Sequence, residues 1–148
     1  MQTVVLVTGG ASGLGNVIAE HFAALGQQVI LSASTLAKAE AAIAKSPNGH
    51  NMVALKLDIS VEADFHQAVA SIEQQFGRLD VLINNATVTK ATPVLEISAA
   101  DFDWVTQVNQ RGTFQACQII GKYMASKGTG RIVNMASLGG QNGGTATG

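Results

Sequence analysis

Short apolar runs alternate with amphipathic stretches along the whole chain, and glycine or asparagine punctuates nearly every change between them. Thr3 to Val7 (TVVLV) is β-branched and apolar and ends in a glycine cluster, the pattern of a buried parallel strand. Leu14, Val17, Ile18, Phe22 and Leu25 then recur at helical spacing, and Gly26 is a natural stop. Val29 to Leu31 predicts a second strand, Leu36 to Ala44 a helix broken by Pro47-Asn48-Gly49, and Met52 to Leu57 a third strand closing on Asp58. Ser60 has the chemistry of an N-cap for a helix whose face carries Phe65, Val69, Ile72 and Phe76 and whose end is Gly77.

Asp80 to Ile83 predicts a fourth strand running into Asn84-Asn85-Ala86. Ser98 and Asp101 form a capping pair for a long helix reaching about Lys127. Gly128-Thr129-Gly130 then turns the chain into a fifth strand, Arg131 to Met135, which delivers Ser137. Residues 138–148 are polar and glycine-rich without periodicity, so they read as a loop or a disordered tail. Five strands alternating with four helices predict an open α/β parallel sheet with right-handed crossovers. One domain over 1–137 follows, with no internal repeat.

Composition adds exclusions. Apolar residues make up 47% of the 148 and charged residues 13%, which argues for a packed core rather than disorder. The formal net charge is −1 with lysine and arginine scattered singly, so no basic stripe invites nucleic acid. Cys117 is the single cysteine, which precludes an internal disulfide and suits a reducing compartment. No basic-then-apolar leader and no membrane-length apolar run is present, so the expected setting is cytoplasmic, without membrane contact. His21, His50 and His66 share no spacing that would hold a metal.

The informative chemistry lies in the loops after the strands. Thr8-Gly9-Gly10-Ala11-Ser12-Gly13-Leu14-Gly15 joins the first strand to the first helix. Glycine there lets backbone turn tightly and approach a pyrophosphate, with helix N–H groups aimed at the anion. A glycine-rich turn alone is weak; at the start of a βαβ unit it is a strong sign of phosphate binding. Asp58 and Asn84-Asn85-Ala86 follow the third and fourth strands, and Ser137 follows the fifth. The C-terminal ends of strands are where open α/β sheets place ligands. Each also has a plainer reading: a turn cap for Asp58, turn residues for the asparagines, a solvated helix face for Asn109, a loop serine for Ser137.

This ordered set resembles the short-chain dehydrogenase/reductase family, and the likeness covers nearly the whole chain. TGGASGLG is similar to the family's TGxxxGxG loop, NNA to its NNAG motif, VNQRGTF to the helix carrying the tetrad asparagine, and RIVNMAS to the strand delivering the tetrad serine. The resemblance implies a Rossmann-like doubly wound sheet in the order 3-2-1-4-5, incomplete at its C-terminus. It implies NAD or NADP held by Gly9, Ala11, Ser12, Gly13, Leu14, Gly15, Asp58, Ile59, Asn85 and Ala86. Ser137 and Asn109 are the implied catalytic residues: Ser137 would hydrogen-bond the carbonyl oxygen of an alcohol/ketone substrate, and Asn109 would support a proton-relay water.

The family's tyrosine acid/base and the lysine four residues beyond it lie after the serine. Here Tyr123 and Lys127 spell that motif before the serine, at the end of the long helix and hence at the opposite edge of the sheet. A five-residue strand spans about 16 Å, too far for one substrate to touch Tyr123 and Ser137. Residues 1–148 are therefore expected to be an N-terminal part of an oxidoreductase and to turn over nothing alone. Ser32-Ala33-Ser34-Thr35, after the second strand, offers neither the acid that takes ribose hydroxyls nor the arginine that takes a 2′-phosphate. Thr87 replaces the glycine expected after Asn-Asn-Ala. The long helix, with Phe102, Val105, Ile119 and Ile120, and the edge strand point to a homo-oligomer. The rival readings are a non-catalytic nucleotide-binding or dimerisation module and one half of a split enzyme.

Overall fold

Residues 2–142 are described by a computed structural model, and within them every predicted strand joins one parallel sheet. The strands are β1 (Val4–Val7), β2 (Gln28–Ala33), β3 (Met52–Lys56), β4 (Val81–Asn84) and β5 (Arg131–Asn134). Their spatial order is β3-β2-β1-β4-β5, so the chain reverses direction across the sheet between β1 and β4. That reversal opens a crevice at the C-terminal strand ends.

Helices cover both faces: α1 (Gly13–Ala24), α2 (Leu36–Ile43), α3 (Glu62–Phe76) and α4, a helical run over residues 99–126. Alternation along β1 shows why two layers are needed. Val4 and Leu6 pack with Phe65, Ile72, Val108 and Ile120 of α3 and α4, whereas Val5 and Val7 pack with Ala19, Ala23 and Ala39 of α1 and α2. All four β1 residues are buried, which is why that strand reads as an unbroken apolar run. The fully buried side chains that α1 and α2 contribute to this layer are alanines, Ala19, Ala23 and Ala39, with Ile18, Phe22 and Ile43 packed around them.

Three local features depart from the sequence pattern. Val61, not Ser60, precedes the first turn of α3 and caps nothing, because the Ser60 hydroxyl and N–H both turn back to Asp58. The long helix is not uniformly α: Gln107–Gly112 and Ala116–Ile120 are π-helical. Ser98 does cap its start, accepting the Asp101 N–H at 3.1 Å. Gly139–Asn142 makes one helical turn within the run expected as a loop, and residues 143–148 of that run lie outside the described residues. At the far edge every β5 residue is exposed, Ile132 and Val133 among them.

Candidate functional site

The glycine loop turns over β1 with one tightly packed side and one open side. Gly9 has φ +64, and a Cβ there would meet the Ala86 Cα at 2.8 Å. At Gly15 a Cβ would overlap both the Asn85 amide and the Gly9 carbonyl. Gly13 also has a positive φ, +55, yet nothing lies within 4 Å of its missing Cβ. Two glycines therefore bring the loop onto the β4 turn, and the third leaves the start of α1 bare.

Thr8 locks this arrangement. Its hydroxyl accepts the N–H groups of Asn85 and Ala86, each at 3.0 Å, and donates to the Ile83 carbonyl. The Asn85 Nδ2 donates as well, to the Thr8 carbonyl at 3.1 Å and the Gly9 carbonyl at 3.4 Å. The asparagine read from the sequence as a ligand residue is thus also the clasp between two loops.

The first turn of α1 carries no acidic residue, and the Ser12 side chain makes no capping bond to it. In a 12-residue helix, first-turn N–H groups without a side-chain cap present a partial positive charge. A phosphate fits that position electrostatically, with no Cβ at Gly13 to keep it away.

These loops enclose a cleft of about 800 Å³ at the C-terminal strand ends. Gly9, Ala11, Ser12, Gly13, Leu14, Asp58, Ile59, Asn85, Ala86, Asn109 and Ser137 all line it, so the structure gathers every residue singled out from the sequence except Gly15. Gly15 sits beneath, against Asn85. Asp58 stands at the β3 side, where its Oδ1 accepts the Ser60 N–H and hydroxyl; the turn-capping role is real and occupies one oxygen. Its own N–H is held by the buried Asp64, which Lys56 neutralises.

Asn109 sits inside the first π-helical stretch of α4. Its Oδ1 accepts from the Val88 N–H at 2.9 Å and the Thr87 hydroxyl at 3.1 Å, and its Nδ2 donates to the Val88 carbonyl at 2.8 Å. An amide nitrogen carries two hydrogens, so one remains for a water or ligand. The Thr87 hydroxyl, unexpected from the sequence, adds a contact to Asn109. Gly112 lets this part of α4 press onto the β3 loop: a Cβ there would meet the Ile59 carbonyl at 2.6 Å. Ser137 is exposed just beyond β5, its Oγ accepting the Gly139 N–H at 3.1 Å.

Tyr123 is elsewhere. Its hydroxyl donates to Glu73 of α3 at 2.7 Å, and Lys127 donates to the other Glu73 oxygen at 2.7 Å. Tyr123 lies fourteen positions beyond Asn109 along the helix, about 20 Å along the axis. Burial and the neighbouring Glu73 carboxylate push the phenol well above its ordinary value of 10.0, the wrong direction for a base. The spelled motif is a brace between α3 and α4.

Sequence reasoning passed over Lys38 and Trp104, both of which line the cleft. Lys38 and Asp58 are its only charged lining residues among those described. Neither could have been found from the chain alone, since each meets the cleft from a helix whose orientation only the packing sets.

A profile of the family described as short chain dehydrogenase matches residues 3–148. Levodione reductase of Leifsonia aquatica is 37% identical over 144 residues, covering 95% of this chain and 54% of that protein. D-threitol dehydrogenase of Mycolicibacterium smegmatis is 38% identical over 137 residues, covering 90% and 52% respectively. Among solved structures, a short chain dehydrogenase from Bacillus anthracis superposes with a TM-score of 0.88 at 33% identity, over 96% of this chain and 58% of that one. ElxO with NADP bound gives 0.89 at 29% identity, over 97% and 59%. The chain spans about half the length of the curated relatives it matches.

Proposed function

The chain belongs to the short-chain dehydrogenase family, and from that premise we propose that it supplies the cofactor-binding part of an NAD(P)-dependent oxidoreductase. The reaction is hydride transfer between the nicotinamide ring, which supplies that chemistry when bound, and the carbon of an alcohol or carbonyl. The observation that carries this reading is the uncapped, acid-free start of α1 opening into the same cleft as Asn85, Asn109 and Ser137.

Gly9, Ala11, Ser12, Gly13 and Leu14 hold the pyrophosphate by backbone N–H groups, with Gly15 giving the loop its close seat on Asn85. Asp58 and Ile59 border the adenosine end, and Asn85 and Ala86 the centre. Ser137 hydrogen-bonds the substrate oxygen, and the spare Asn109 amide hydrogen steadies a water that carries the proton. Residues 1–148 place no tyrosine in the cleft, so this polypeptide alone binds cofactor without turnover. A chain completing the site with its own tyrosine and lysine, in cis or as a partner fragment, restores the reaction. The exposed β5 and the exposed Phe102 of α4 favour assembly with a further copy or segment, whereas Ile120, expected to share in that contact, is buried in the core; the lone cysteine suits a cytoplasmic setting. No helix among the described residues is long and apolar enough to cross a membrane.

The test is fluorescence titration of the 148-residue chain with NADH and with NADPH, followed by size exclusion. Saturable binding to a defined species is expected. Absence of binding to a folded chain would overturn the reading. Turnover that disappears in Tyr123→Phe would overturn the assignment of Tyr123 as a brace.

A further inference from the structure

Trp104 is the only tryptophan in the chain, and its place is unusual. It projects from the first turns of α4 and is 42% exposed, yet it lines the cleft together with Val108 one turn further on. Lys90, from the loop after β4, holds its ammonium 5.9 Å from the centre of the indole ring, and Asp101 fixes that ammonium at 3.0 Å. Lys90 does not line the cleft. The indole therefore meets a cation that is no part of the cleft lining, contributes to that lining itself, and keeps much of its surface in water. Gln107, on the same side of the helix, donates to the Ser60 carbonyl at 3.2 Å, which ties this segment to the β3 loop carrying Asp58.

A large aromatic side chain left half in water, but braced by an ion pair, is prepared for a flat partner. Indole stacks on any heteroaromatic ring, and desolvating both faces adds to the stacking. We propose that Trp104 is the aromatic wall of the cleft and stacks against a flat ring of the bound dinucleotide. This rests on the cofactor reading above and adds to it a residue that sets affinity. The cofactor offers two such rings, adenine and nicotinamide, and the chemistry of recognition is the same for both.

The experiment titrates the unaltered chain, Trp104→Ala and Trp104→Phe with NADH, read by the dinucleotide's own fluorescence. AMP and reduced nicotinamide mononucleotide are then titrated by calorimetry to separate the two rings. Trp104→Ala is expected to weaken NADH about tenfold, and Trp104→Phe to restore most of the loss. A parallel loss for AMP identifies adenine as the partner; a parallel loss for the mononucleotide identifies nicotinamide. NADH binding by a folded Trp104→Ala as tight as that of the unaltered chain would overturn the inference and leave the cofactor reading standing. Failure of the unaltered chain to bind NADH would take both down together.

Discussion

Thr8 and Asn85 are joined twice, with Asn85 the donor in both bonds. The Asn85 N–H rests on the Thr8 hydroxyl at 3.0 Å while the Asn85 amide donates to the Thr8 carbonyl at 3.1 Å. Thr8 is only 2% exposed, so a hydroxyl lost there leaves two N–H groups unpaired away from water. Thr8→Val should lower stability by about 3 kcal/mol in urea unfolding and loosen cofactor binding with it. Thr8→Ser keeps the hydroxyl and should cost far less. Equal losses in the two variants would mean that the methyl group, not the hydrogen bonds, matters at this position.

Gly13 and Gly15 separate two jobs that a glycine-rich loop usually mixes. Gly13→Ala meets no neighbouring atom and pays only for its positive φ, about 1 kcal/mol, so the chain should fold while the added methyl intrudes where a phosphate would lie. Gly15→Ala has no room at all and should cost about 3 kcal/mol or more. Thermal unfolding beside NADH titration reads both. A Gly13→Ala chain that binds NADH normally would move the phosphate away from the start of α1.

Tyr123→Phe should leave NADH binding unchanged and reduce stability by about 1 kcal/mol. The phenol's raised pKa fixes the sign of a second effect. The stability it contributes is present below the unfolded value, about pH 10, and fades as pH rises through the still higher folded value. As the chain has one tyrosine, tyrosinate absorbance follows that ionisation alone. Titration at the ordinary tyrosine value in the folded chain would contradict the Glu73 contact.

At the other end of the sheet, burial raises the Asp80 pKa, but the Arg78 guanidinium and the Val4 N–H at 2.8 Å outweigh it and hold the carboxyl below its usual 3.8. Its contribution to stability is therefore full above the unfolded value and lost as pH falls through the folded one. Asp80→Asn should destabilise the chain at about pH 7 and lose most of that difference at about pH 2.5, measured by urea midpoints. A difference independent of pH would mean that shape rather than charge holds β1 to the β4 loop.

What the sequence made legible was local. Glycines, apolar spacing and strand-end polar residues placed the five strands, and the Ser98 cap, because each is decided within a few residues. Ser60 misled because its hydroxyl had a nearer partner in Asp58. The Asn109 contact with Val88, the Glu73 brace and the cleft face of Trp104 join residues far apart in the chain, and no spacing rule reaches them. The π-helical turns were equally invisible: they insert residues into a helix whose apolar spacing still reads as helical.

Those turns set the angular phase of the longest element. One residue advances an α-helix by about 100°, so each π-helical stretch slips the following surface around the axis by about that amount. Trp104 above the first slip and Tyr123 below the second consequently answer to different neighbours, although both belong to a single rod. A one-residue deletion between 107 and 112 would shorten the rod by hardly more than an ångström. It would still rotate the cleft half out of alignment with the core half, like a key cut correctly but twisted in its stem.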